Sequence, residues 1–69
     1  MKRFGEKLRI LRQRRGMSLQ ELAEVLGFSK THTHRLEQGQ KKPHADLLLQ
    51  IAEYFEVSLD DLMRDERDV

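Results

Sequence analysis

The 69-residue sequence has no cysteine, no tryptophan, one proline and only four aromatic side chains, three Phe and one Tyr. Without cysteine there is neither a disulfide staple nor a thiolate metal site, so the core must hold by packing alone. That absence fits a reducing compartment, and the cytoplasm is the expected location. No apolar run approaches the roughly 20 residues of a membrane helix, and Met1 to Glu6 lack the apolar stretch of a secretory signal, so no membrane partner is expected. A chain this short buries too little surface for a second core or a deep cavity, which excludes dinucleotide folds and enzymes with two substrate pockets. No small-molecule ligand or cofactor is expected.

What the sequence does have is charge, 36% of its residues, with a formal net value of only +1. The distribution is uneven. Residues 1–44 carry eleven Lys/Arg, four Glu and all three His, a formal +7, whereas residues 45–69 carry two Arg and eight Asp/Glu, a formal −6. Such a split suits a protein that offers one end to a polyanion and keeps the other away from it. It also fits ordinary solvated helix surfaces.

Periodicity is helical throughout, and no alternation of apolar and polar residues argues for a strand, so the fold is expected to be all-α. Phe4, Leu8 and Leu11 share one stripe of a first helix over about 2–15, with Lys7, Arg9, Arg12, Arg14 and Arg15 around the rest and Gly16 as the stop. Ser18-Leu19-Gln20-Glu21 reads as a capping box for a second helix that ends at Gly27. Ser29 caps a short third helix, Lys30 to Glu37, before Gly39. After the loop Gln40-Lys41-Lys42-Pro43, the repeat of Leu47, Leu48, Ile51, Ala52 and Phe55 marks the most apolar helix. Ser58-Leu59-Asp60-Asp61 opens a short fifth helix with Leu62 and Met63, and residues 63–69 form a charged C-terminal tail that is expected to fray.

Two short helices joined by a glycine-containing turn make a helix-turn-helix, whose second helix can enter the DNA major groove. Ala23 is small where the third helix must approach, and Gly27 can take a positive φ. At 3.6 residues per turn, Leu36 and Thr33 fall at about 240° and 300° from Lys30 and define the inward face. Lys30, His34, Thr31 and Arg35 fall at about 0°, 40°, 100° and 140°, a contiguous polar arc on the opposite side. Their side chains suit base edges, Arg and Lys donating to guanine and Thr contacting a thymine methyl. The free amides beside Ser18 and Gln20 at the start of the second helix form a natural phosphate site, and Gln40, Lys41 and Lys42 can reach the sugar-phosphate chain. These contacts would set register and leave sequence preference to the third helix.

The residues Leu-Arg-Ile-Leu-Arg at 8–12, Ser-Leu-Gln-Glu-Leu-Ala at 18–23, Leu-Gly at 26–27, Leu-Glu-Gln-Gly at 36–39, Pro43 and Val-Ser-Leu-Asp-Asp-Leu at 57–62 occur in one order. Together they resemble the Cro/C1-type (XRE family) helix-turn-helix regulators over residues 8–62. The resemblance implies a compact five-helix bundle of the lambda-repressor-like DNA-binding type, with the motif at about 19–38. It implies base reading from Lys30, Thr31, His34 and Arg35. It also implies an orienting pair between Arg12 and Glu37, with the third helix tied to the scaffold and the guanidinium aimed at a phosphate. Similar members carry Val or Ile where this sequence has Thr33, so either packing is looser there or the hydroxyl bonds a carbonyl of the preceding turn.

Other chemistries find little support. His32 and His34 lie about 200° apart on a helix with no carboxylate or thiolate to complete a metal set. Ser18, Ser29 and Ser58 all sit where N-caps belong, so an enzyme is not expected. The expected function is therefore sequence-specific binding of double-stranded DNA by a transcriptional regulator, as a homodimer on a palindromic operator. A protein-interaction module such as an antitoxin or adaptor fits the same scaffold, as does the DNA-binding part of a longer regulator or the similar domain of eukaryotic coactivators.

Overall fold

The computed structural model describes all 69 residues as five helices: α1 Phe4–Arg14, α2 Leu19–Leu26, α3 Lys30–Glu37, α4 Ala45–Phe55 and α5 Leu59–Met63. Local chemistry sets most of these boundaries. Ser18 Oγ accepts from the Glu21 amide at 3.0 Å while the Glu21 carboxylate accepts from the Ser18 amide at 2.8 Å, so the capping box closes in both directions. Ser29 and Ser58 cap α3 and α5 through the amides of His32 and Asp61. The cap of α4 is less usual: His44 Nδ1 accepts from the Leu47 amide at 3.2 Å. Gly27 holds φ +76° and lets the chain reverse between α2 and α3, with the Phe28 amide bonded to the Ala23 carbonyl at 3.0 Å.

One core fills the space between the helices. Phe4, Leu8 and Leu11 of α1, Leu22 and Leu26 of α2, Leu36 of α3, Leu47, Leu48, Ile51, Ala52 and Phe55 of α4, and Leu62 of α5 are all buried in it. Every apolar position read from the helical periodicity of α1 and α4 is thus inside. Gly5 permits a close approach of α1 to the end of α3, because a Cβ there would meet the Glu37 carbonyl oxygen at 2.5 Å. Any side chain at position 5 would push α1 away from the end of α3.

Two features depart from the expectations. Lys7, assigned with the arginines to the polar side of the first helix, is 0% exposed, and its ammonium donates to the carbonyls of Asp61 and Arg64 at the end of α5. It thereby serves the carbonyls that a helix C-terminus leaves free. The tail, expected to fray, is instead fastened to the start of α1. The Asp65 carboxylate accepts from the amides of Lys2 and Arg3 at 2.7 and 2.9 Å, and the Arg3 guanidinium donates to the Asp65 carbonyl at 2.8 Å and to Asp68 at 2.9 Å. The first and last helices therefore cap each other, and this puts the acidic end of the chain against the N-terminus.

Candidate nucleic-acid interface

Between Lys30 and Lys42 the sequence holds one acid, Glu37, and the fold takes it off the surface. Its side chain is 3% exposed and accepts from Arg12 Nε at 2.7 Å and Arg12 Nη2 at 3.1 Å. Arg12 Nη1 donates in turn to the Met17 carbonyl at 2.9 Å. The hydrogen bonds to Glu37 hold the Arg12 pKa above its ordinary value, against the opposing effect of burial. Three of the five guanidinium N–H groups are thus committed within the protein, which leaves two for any phosphate.

With Glu37 buried, the surface of α3 and the following loop is cationic. No carboxylate lies within 4.0 Å of Lys30, Arg35, Lys41 or Lys42. Arg3, Arg15, Arg64 and Arg67, by contrast, are each paired with an acid. Lys30, Thr31, His34 and Arg35 are all exposed on α3, while Thr33 and Leu36 face the core. The Thr33 hydroxyl donates to the Ser29 carbonyl at 2.9 Å, so a polar atom is buried there without an unmet hydrogen bond. His32 turns aside and packs on Phe28, with ring centroids 4.5 Å apart.

The start of α2 and the α3–α4 loop flank this face. Ser18 and Gln20 are exposed, but the Ser18 side chain is engaged in the capping box, and the Glu21 carboxylate already takes one of the amides there. The amides of Leu19 and Gln20 remain open to an outside acceptor. Gln40, Lys41 and Lys42 are exposed after Gly39. Ala23 is fully buried, and its carbonyl accepts from the Phe28 amide in the turn between α2 and α3. Sequence reading missed the roles of Lys7, His44 and Asp65. Lys7 alone had a local signal, because it stands three residues after Phe4 and four before Leu11, on the apolar stripe itself.

The family model described as a helix-turn-helix domain matches residues 3–65. The chain belongs to the XRE-type helix-turn-helix family. The match is wider than residues 8–62 and takes in Arg3, Lys7 and Asp65. An HTH-type transcriptional regulatory protein by name, from Pyrococcus furiosus, is 40% identical over 55 residues, which are 80% of this chain and 18% of that protein. The HTH-type transcriptional activator BcrR of Enterococcus faecalis is 35% identical over 63 residues, 91% of this chain and 31% of BcrR. This helix-turn-helix domain thus spans less than a third of either relative. Among solved structures, the clp gene regulator ClgR from C. glutamicum superposes with a TM-score of 0.76 at 31% identity, covering 90% of this chain and 80% of that one. No helix of the domain is long and apolar enough to cross a membrane.

Proposed function

We propose that this domain binds double-stranded DNA in a sequence-specific manner and acts in transcriptional regulation, with α3 in the major groove. The observation that carries this reading is the burial of Glu37 on Arg12, which leaves Lys30, Arg35, Lys41 and Lys42 with no carboxylate within 4.0 Å of any of them. Lys30, Thr31, His34 and Arg35 read base edges, and the open amides near Ser18 and Gln20, with Gln40, Lys41 and Lys42, fix the backbone. The test is affinity for duplex DNA across a salt series. Each phosphate neutralised contributes a slope of roughly −0.9 in log K against log salt, whereas a flat series or no binding at low salt contradicts the reading.

The functional unit is a homodimer on a palindromic site. Leu62 is consumed by the core, but Leu59 and Met63, one turn apart on α5, remain 36% and 42% exposed. A two-fold contact through them would set the two α3 helices roughly 34 to 36 Å apart, one turn of DNA. Sedimentation with a selected duplex tests this, and one protein per duplex at saturation, on a site without two-fold symmetry, overturns it. The exposed Leu49 and Tyr54 of α4 favour a second reading as a protein-interaction module. That reading gains only if DNA binding is absent at low salt.

A further inference from the structure

A cleft of about 480 Å³ opens where the N-terminal end of α1 meets the loop between α3 and α4. This volume falls in the range of small-molecule sites. Met1 and Pro43 supply its exposed apolar lining, above the nearly buried Phe4 and Leu36, and Lys2, Lys41 and Lys42 supply its charged lining, with no acid among the lining residues. None of these three ammonium groups lies within 4.0 Å of a carboxylate, although the Lys2 backbone amide is bound by Asp65. Three like charges around one concavity repel each other, and an anion placed between them relieves that repulsion. An apolar body attached to the anion would displace water from the Met1 and Pro43 side.

We propose that this cleft binds a small anion carried on an apolar body, an amphipathic carboxylate or phosphate ester, and that the bound ligand competes with DNA. The competition follows from shared residues, because Lys41 and Lys42 line the cleft and also flank α3 as phosphate contacts. A lysine engaged by the ligand is lost to the DNA backbone. Only this competitive step rests on the DNA-binding reading; occupancy of the cleft does not.

The test is titration of the intact chain, followed by amide NMR shifts, with octanoate, octyl phosphate, octanol and sulfate in parallel. Saturable shifts at Gly5, Leu36 and Gly39 are expected with an anionic amphiphile and not with octanol or sulfate. A response to octyl phosphate alone assigns the ligand to phosphate esters, and a response to octanoate alone assigns it to carboxylates. Equal shifts with octanol, or with sulfate alone, overturn the proposal. Lys2→Gln, a residue outside the DNA contacts named above, is expected to weaken binding about fivefold, roughly 1 kcal/mol, with an unchanged melting temperature. Unchanged affinity in this variant overturns the assignment of the anion to the lysines. Saturating amphiphile should then lower the affinity for duplex DNA. Full DNA affinity in the ligand-bound protein overturns the competition, whereas cleft binding by a protein that binds no DNA at all refutes the DNA reading and leaves the site standing.

Discussion

The Glu37 carboxylate lies side by side with the Arg12 guanidinium, 2.7 Å from Nε and 3.1 Å from Nη2, and this contact joins the scaffold to the end of α3. Two parallel N–H···O bonds fix direction as well as distance, so the last turn of α3 cannot rotate without breaking one. A third N–H, on the Met17 carbonyl, ties the turn before α2 to the same guanidinium. One side chain of α1 thus orients both halves of the helix-turn-helix.

Because the carboxylate is buried, the small value typical of exposed ion pairs does not apply, and what governs is the penalty of leaving one charge without its partner. Arg12→Ala is expected to cost about 3 to 5 kcal/mol in urea denaturation. The double variant Arg12→Met with Glu37→Met should cost clearly less than that. A loss below about 1 kcal/mol for Arg12→Ala would show that water replaces the guanidinium freely.

Lys7 makes a second prediction. Lys7→Met keeps the aliphatic stem in place and removes the ammonium that serves the Asp61 and Arg64 carbonyls. The expected cost is about 1.5 to 3 kcal/mol, the range for hydrogen bonds to a charged group. Amide exchange at Lys2 and Arg3 should accelerate with it, since the tail that carries Asp65 is anchored through α5. Unchanged exchange at both amides would separate the two halves of the reciprocal cap.

Acid should weaken the fold through three carboxylates at helix starts. Asp65 is held below the ordinary value of 3.8 by the backbone N–H groups of Lys2 and Arg3, Asp61 by the Arg67 side chain, and Glu21 below 4.5 by the backbone N–H of Ser18. Each has a lower pKa folded than unfolded. Its contribution is therefore fully present above the ordinary value and is lost as pH falls through the folded one. Stability should be insensitive to these groups near neutrality and should drop below about pH 4, with a shallower acid limb for Asp65→Asn. An identical acid limb in that variant would remove Asp65 from the account.

The capping box, the αL turn at Gly27 and the apolar stripe of α4 were legible because each rests on residues within one or two turns of each other. Asp65 was not, since it caps an element 62 residues away in sequence, and no local pattern encodes that approach. His44 escaped because an imidazole is a rare N-cap, although Nδ1 has the lone pair the task needs. The placement of Glu37 came from family resemblance, and its near-complete burial needed the packing of α1 against α3. The cleft was invisible for the same reason, as its walls come from two distant segments, residues 1–5 and 36–43.

The end of α4 was also hidden, because the residue that turns left-handed there is Glu56, at φ 56°, where other helices of the chain use glycine. Glu56→Gly should raise stability by about 0.5 to 1 kcal/mol, the relief of left-handed strain less the extra chain entropy of glycine. Thermal denaturation reads this directly. A lower melting temperature would mean that the long Arg15–Glu56 contact at 3.9 Å outweighs the strain.

The central claim, that burying Glu37 frees α3 to read DNA, is tested most directly by selecting bound duplexes from a random pool and repeating the selection with Lys30→Ala, Arg35→Ala and Lys42→Ala. The account predicts one enriched motif with two-fold symmetry. Lys30→Ala and Arg35→Ala should each lose about 1 to 3 kcal/mol on it and relax particular base positions, while Lys42→Ala weakens selected and random DNA alike. No enriched motif with the native protein, or a base preference relaxed by Lys42→Ala alone, would contradict it.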